Sequence, residues 1–248
     1  MQDLKDRVAT VTGGCSGIGR AICVELAKCG CDIAVIDIAS GPPADSLAQE
    51  IRDFGCQAFL YQADVANFQK AQECPMAVMR ELGRVDFLIN NAGVHSDAAI
   101  WKMTEEQWDR VIDVNLKGAF NYTRAFAPIM RERRSGCIIN ITSVNAFRGK
   151  FGLTNYSASK TGMIGLTKTT AREMGKYNVR VNAVAPGYVQ TSMMEKFPPE
   201  YREQALAESV LNRLGLPEDV AHLVCFLCSE KARHITGDII KIDGGQYL

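Results

Sequence analysis

The sequence predicts an α/β fold: one doubly wound, parallel, seven-stranded sheet, with residues 1–248 forming a single domain. Three observations lead there. Strand-like and helix-like segments alternate from one end to the other. The strand segments are nearly continuous apolar runs, as in a parallel sheet covered on both faces. A chain of 248 residues with no linker, repeat or composition shift has the size of one large α/β unit.

The elements follow in order. Val8–Thr12 is a β-branched strand. Ile18–Cys29 is a helix with Ile22, Leu26 and Cys29 on one side. Asp32–Asp37 is a strand, and Asp45–Phe54 is a short helix opened by Gly41-Pro42-Pro43 and closed by Gly55. Ala58–Gln62 is a strand. Asn67–Leu82 reads as a helix in which Pro75 imposes a kink or a late start. Phe87–Asn90, Cys137–Thr142 and Val179–Val184 are strands separated by the helices Glu105–Arg131 and Asn155–Gly175. Pro217–Cys228 is the last helix and Asp238–Ile242 the last strand. Pro186–Glu203 fits no element. A long irregular stretch in a compact domain is usually functional, so residues 187–203, with Met193 and Met194, are expected to form a lid over a ligand.

Composition narrows the function classes. The 28 basic and 28 acidic side chains cancel, which argues against nucleic acid as a partner. No apolar run approaches the ~18 residues of a membrane span. The opening residues, MQDLKDRVATVTGG, have no leader-like apolar core, so none is expected. Nine scattered cysteines suggest free, mostly buried thiols in a reducing compartment, hence the cytoplasm. Cys225-Phe-Leu-Cys228 has no second cysteine pair or paired histidines to complete a metal site, and no metal is expected.

Chemistry gathers at the strand ends. The first strand runs into Gly13-Gly14-Cys15-Ser16-Gly17-Ile18-Gly19 and then a helix. Gly13 permits a tight turn, Gly17 lets backbone approach a pyrophosphate, and Gly19 allows close packing. The helix N-terminus offers free amides and a positive dipole end. The spacing is G-x-x-x-G-x-G rather than G-x-G-x-x-G, so an ordinary strand–helix turn also fits it. Asp37 ends the second strand, followed by Ile38. Its carboxylate suits the adenine-ribose hydroxyls of a dinucleotide and would repel a 2′-phosphate. No Arg or Lys stands at 14–16 or 38–40 to offset that repulsion. The cofactor expected is NAD, although Asp37 could simply cap a strand. Asp64-Val65 and Asn91-Ala92-Gly93 follow the third and fourth strands and would line the same ledge.

Ser143 follows the fifth strand. Tyr156 and Lys160 stand four apart, hence on one helix face. A neighbouring ammonium favours a phenolate, which would bring Tyr156 from pKa ~10 into reach of neutral pH as an acid or base. Ser143 could donate to the substrate oxygen. Singly, such a pair also suits an exposed helix face, and Ser143 a cap. Their convergence with the glycine turn and Asp37 favours catalysis.

Together these residues resemble the short-chain dehydrogenase/reductase family over nearly the whole chain. The motifs are Thr12-Gly13-x-x-x-Gly17-x-Gly19, Asp64, Asn90-Asn91-Ala92-Gly93, Asn115, Ser143, Tyr156-x-x-x-Lys160 and Pro186-Gly187. The resemblance implies a Rossmann fold and hydride transfer between a nicotinamide and a carbonyl or alcohol. It implies Tyr156 as acid/base, with Lys160 binding the nicotinamide ribose and lowering the tyrosine pKa. Ser143 would orient substrate and Asn115 hold a relay water. Pro186, Gly187, Val189 and Thr191 would meet the carboxamide. It also implies a homotetramer. Within the family the chain is most similar to the 3-oxoacyl-(acyl carrier protein) reductases, which use NADPH and carry a basic residue where Ser16 stands.

The substrate is expected to be a small secondary alcohol or ketone, or a 3-hydroxyacyl or 3-oxoacyl thioester. The expected pocket is His95, Asn145, Phe147, Leu153, Tyr188, Met193 and Met194. An acyl carrier protein is possible as a partner through Arg131, Arg133 and Arg134, but a solvated helix end suits them better. The competing readings are an NADPH-dependent carrier-protein reductase and a non-catalytic NAD-binding regulator.

Overall fold

The computed structural model describes residues 2–191 and 199–248. Strands β1 (Val8–Thr12), β2 (Asp32–Asp37), β3 (Ala58–Gln62), β4 (Phe87–Asn90), β5 (Gly136–Ile141), β6 (Val179–Pro186) and β7 (Ile239–Ile242) pair in parallel in the order β3-β2-β1-β4-β5-β6-β7. The order reverses between β1 and β4, which opens a crevice at their carboxyl ends. Around the sheet lie α1 (Gly17–Lys28), α2 (Pro42–Asp53), α3 (Phe68–Leu82), α4 (Glu105–Ile112), α5 (Gly118–Arg133), α6 (Asn145–Arg148), α7 (Thr154–Met174), α8 (Pro199–Glu208) and α9 (Pro217–Cys228).

Successive strand residues point to opposite faces, and both faces are buried. Ile33 and Val35 of β2 meet the layer of α1, α2 and α9, through Ile22, Leu47 and Val224. Ala34 and Ile36 meet the layer of α3, α5 and α7, through Val78, Phe126 and Met174. That is why these strands read as unbroken apolar runs. Each fully buried Leu or Ile contributes on the order of 1.5–3 kcal/mol. All nine cysteines are free thiols, and all but Cys29 are buried. No described helix is long and apolar enough to cross a membrane.

Several boundaries differ from the sequence reading, each for a local reason. Helix α2 starts at Pro42, because proline at the first helical positions needs no amide partner. Helix α3 starts at Phe68, where the Asn67 side chain accepts from the Lys70 amide at 3.0 Å. Pro75 lies inside it, so the late start is excluded. Strand β6 continues through Pro186, whose carbonyl accepts from the Val144 amide at 3.0 Å.

The expected helix Glu105–Arg131 is not one regular helix. A π-helical turn, Asp113–Lys117, separates α4 from α5, and Asn115 sits in it, fully buried. Single π turns of this kind cluster at functional sites. These helices and α7 carry apolar residues on more than one side: Val111, Val114 and Met163 enter the core, Leu166 is half-buried, and Phe120 remains exposed.

The arginines at the end of α5 are not a free basic patch. Arg133 donates to the Val85 carbonyl at 2.7 Å and reaches the buried Asp86 at 3.4 Å. Arg134 donates to the Lys176 carbonyl at 3.0 Å.

Candidate active site

The carboxyl edge of the sheet holds a cavity of about 510 Å³. It spans from the β1–α1 turn to the start of α7. It collects Gly13, Ser16, Gly17, Ile18, Gly19, Asp37, Ile38, Asp64, Val65, Asn91, Ala92 and Gly93 at one end. It collects Ser143, Tyr156, Lys160, Pro186, Gly187, Val189 and Thr191 at the other, with His95, Asn145, Leu153 and Tyr188.

The glycine turn is fixed by steric need. Gly13 has φ of 65°, a conformation that disfavours other residues, and its amide donates to the Ile36 carbonyl at 2.7 Å. A Cβ on Gly19 would lie 2.0 Å from the Gly13 carbonyl oxygen. The Asn91 amide group donates to the Thr12 and Gly13 carbonyls, at 3.0 Å each. The Thr12 hydroxyl accepts from the amides of Asn91 and Ala92 at 3.0 and 3.1 Å. Ser16 caps α1 without a side-chain bond to the first turn. The amides there are left for an anionic ligand.

Asp37 closes this end. Its carboxylate accepts from the Cys15 amide at 2.9 Å and from the Ala39 amide at 3.0 Å. Cys15 itself lies outside the main cavity and lines an adjoining one of about 220 Å³ with Asp37. Burial, with Asp37 beside it, pushes the Cys15 thiol up to about 12, so it stays neutral. Arg20 lies near this corner but is bound to Glu50 at 2.6 Å and to Ser46 at 3.2 Å. Asp64 accepts from the Ala66 amide at 2.9 Å and pairs with Arg110 at 3.0 Å. Burial pushes its carboxyl up, but that amide and Arg110 together hold it below the ordinary value.

The other end is built on the junction of β5 and α7. The Thr142 hydroxyl donates to the Lys160 carbonyl at 2.7 Å, and the Lys160 ammonium donates to the Ile141 carbonyl at 2.8 Å. The Ser143 hydroxyl accepts from the Asn145 amide at 3.2 Å and lies near enough to the Tyr156 phenol to favour its ionised form. His95 stacks on the Tyr156 ring, with centroids 3.9 Å apart and planes at 17°, and its Nδ1 lies 3.5 Å from Asp97. Lys160 Nζ is 5.7 Å from the centre of the Tyr156 ring.

The electrostatics differ from the sequence expectation. Burial pushes the Tyr156 phenol up to about 12. The Ser143 hydroxyl pulls it back and Asp97 pushes it further up. Burial brings the Lys160 ammonium down to about 8. The expected lowering of the phenol by Lys160 is not found: desolvation penalises both charged forms, and Ser143 is the group that favours the phenolate.

Asn115 is a clamp. Its Oδ1 accepts from the Val94 amide at 2.8 Å, and its Nδ2 donates to the Val94 carbonyl at 3.0 Å and to Ser159 at 3.3 Å. Only an Oδ1 lone pair is left to hold a water.

Phe147 does not line the cavity. Helix α6 turns it outward, where it stacks on Tyr247 at 5.7 Å. Met193 and Met194, with most of the expected lid, lie outside the described residues. Residues 199–203 of that stretch are the start of α8. Sequence reasoning missed Asp97, Arg110 and Lys150, which line the cavity. Lys150 hydrogen-bonds the Tyr188 hydroxyl and approaches Glu208 at 3.8 Å. The basic character of the 144–153 loop was the available signal.

Comparison with known proteins decides the family. A family model described as enoyl-(acyl carrier protein) reductase matches residues 13–246. The chain is 44% identical to the 3-oxoacyl-[acyl-carrier-protein] reductase FabG of Thermotoga maritima, over 99% of each chain. It is a short-chain dehydrogenase/reductase. The FabG reductase of Staphylococcus epidermidis is 42% identical over 98% of this chain and 100% of its own length. Nodulation protein G of Azospirillum brasilense is 41% identical over 98% of each. A Sinorhizobium meliloti 1021 structure described as a short-chain alcohol dehydrogenase superposes with a TM-score of 0.94 at 34% identity, over 98% of this chain and 97% of that one. The chain is thus an oxidoreductase of this family, with a Rossmann fold and a nicotinamide cofactor.

Proposed function

We propose that this oxidoreductase is NAD-dependent and oxidises secondary alcohols or 3-hydroxyacyl thioesters, with Ser143, Tyr156 and Lys160 as its catalytic residues. Asp37 carries the NAD reading. Its carboxylate sits at the end of β2, on the cavity wall, held by the Cys15 and Ala39 amides. A 2′-phosphate there would meet a negative charge. The nearby cation, Arg20, is engaged by Glu50. The glycine turn suits a dinucleotide, since a side chain at Gly19 would fill the space that the Gly13 carbonyl occupies. In cells NAD is mostly oxidised, which favours alcohol oxidation.

When bound, the oxidised nicotinamide supplies the hydride acceptor. The chain's own residues do the rest. Tyr156, once ionised to the phenolate, takes the hydroxyl proton. Ser143, beside Tyr156 on the cavity wall, donates to the same substrate oxygen. Lys160 directs one proton at the Ile141 carbonyl and one at the Met163 sulfur, which leaves one for a ribose hydroxyl. Asn115 holds Val94 in place and offers Oδ1 to a relay water. The second reading, an NADPH-dependent carrier-protein reductase, draws on the names of the relatives. Against it stand Asp37 and Ser16, together with the occupied Arg133 and Arg134.

The kcat/KM ratio tests the cofactor. We expect NAD to be preferred over NADP by at least tenfold, about 1.4 kcal/mol. Asp37→Ala should narrow the gap. Equal values with the two cofactors in the wild type would remove this reading.

Lys160 gives a pH test. Without cofactor its ammonium is lost above about 8. A ribose hydroxyl and an anionic dinucleotide favour the ammonium, so binding raises its pKa. Below pH ~8 the group is protonated in both states and affinity is flat. Above it, binding takes up a proton, and affinity falls by up to roughly tenfold per pH unit. Calorimetry from pH 7 to pH 9.5 should find this slope in the wild type and none in Lys160→Ala. A flat wild-type profile would separate Lys160 from the cofactor.

The working unit is proposed to be a homotetramer in the cytoplasm. Exposed Phe120 supports the first point and the buried free thiols the second. Sedimentation at micromolar concentration should give a tetramer; a monomer refutes it.

A further inference from the structure

Two of the most exposed large apolar side chains meet at the mouth of the cavity. Trp101 is 73% exposed and Phe151 is 79% exposed. Their rings touch edge to face, with centroids 6.2 Å apart. They come from segments far apart in sequence, the loop after β4 and the loop between α6 and α7. Those loops are pinned together: the Ala98 amide donates to the Gly152 carbonyl at 3.0 Å, and Ala98 bridges to Leu153. Ile100, beside Trp101, is 60% exposed. The patch is continuous with the cavity, because Phe151 and Leu153 line its wall together with Tyr156. Contiguous exposed aromatic surface on a rigid support marks a place where apolar matter binds.

We propose that Trp101 and Phe151 form a tail subsite, and that the substrate is a free secondary alcohol or ketone with an apolar tail that runs from Tyr156 out to this rim. The proposal rests on the dehydrogenase reading of the same cavity. The chemistry of the rim selects the occupant. A carrier-linked substrate brings a polar, hydrogen-bonding arm through the opening, and two aromatic rings give that arm little to bond. A free substrate brings the apolar end of its own chain, which both rings and Ile100 can cover. A second copy of the chain is the competing occupant.

The test pairs binding with turnover. Binding of 2-alkanones of four to twelve carbons to the NADH-loaded enzyme is measured by calorimetry. Turnover of the matching 2-alkanols is measured with NAD. Full burial is worth about 0.8 kcal/mol per methylene, roughly fourfold in affinity. A tail lying against an open rim buries about half its surface, so roughly twofold per methylene is expected once the chain reaches the mouth. The doubly substituted Trp101→Ala, Phe151→Ala enzyme should lose that increment, read as the ratio of affinities between the long and the short members. Trp101→Leu should keep part of the increment. The same chain-length slope in wild type and double variant overturns the subsite. So does an unchanged slope with loss of the assembled species in sedimentation, which assigns the patch to a second copy. Tail-dependent binding without turnover would sink the reaction reading and leave the subsite standing. Turnover without tail dependence would do the reverse.

Discussion

Tyr156→Phe is expected to lower kcat by about 10²–10⁴ while NAD affinity stays within a few fold. The phenol has no other task that phenylalanine would fail. The ring packs against His95 at 3.9 Å, and the variant keeps that stack. The backbone is held independently, since the Asn155 side chain accepts from the Tyr156 amide at 2.7 Å. What is lost is the hydroxyl beside Ser143. Burial holds the phenol at about 12, so the wild type must lower it during turnover. Alcohol oxidation should therefore speed up as pH rises, and the variant's residual rate should not. Steady-state kinetics over pH 6–10 reads both. A residual kcat above a tenth of wild type would mean that the proton leaves by another route.

The second large effect belongs to Gly19→Ala. Its methyl would lie 2.0 Å from the Gly13 carbonyl oxygen and 2.5 Å from the Asn91 side-chain nitrogen. That oxygen accepts from that nitrogen at 3.0 Å, so neither can retreat without breaking the turn. Overpacking of this kind costs about 1–3 kcal/mol of stability. The larger loss should be in NAD affinity, at least 100-fold, about 2.7 kcal/mol, because the turn carries the amides meant for phosphate. Gly165→Ala is the control. Nothing lies within 4 Å of its added methyl, and it sits inside α7. It should raise stability by up to about 1 kcal/mol. Urea melts and calorimetric NAD titration measure both variants. Gly19→Ala with NAD affinity within threefold of wild type would contradict the packing account.

Much of this architecture is legible in the residues themselves. Strands such as Asp32–Asp37 and Phe87–Asn90 announce themselves by apolar content, because both faces of the sheet are buried. The glycine turn, Asp37, Ser143 and the Tyr156–Lys160 pair share one edge because parallel strands carry their carboxyl ends to the same side. Other features leave no local trace. The π turn around Asn115 has the same apolar periodicity as the helix it interrupts. The outward direction of Phe147 depends on the single helical turn of α6. Arg110 matters through Asp64 and Asp97 through Tyr156, both distant in the chain. The pKa values of Tyr156 and Lys160 depend on depth, and spacing in the sequence carries no measure of depth.

The π turn also sets how evolution or an engineer can edit this chain. Each helical residue advances the phase by about 100°. A π turn absorbs one extra residue, so deleting one at 113–117 would restore an ordinary helix and leave Tyr122, Phe126 and Met130, all fully buried, facing the sheet. What the deletion would remove is the bulge that presents Asn115 to Val94. An insertion finds no such slack, because the turn has already absorbed one residue, and would rotate all of α5. The segment Asp113–Lys117 therefore cannot lengthen, and can shorten only at the cost of the Asn115 clamp, whereas the exposed Ser40–Gly41 turn can lengthen without disturbing the phase of any helix.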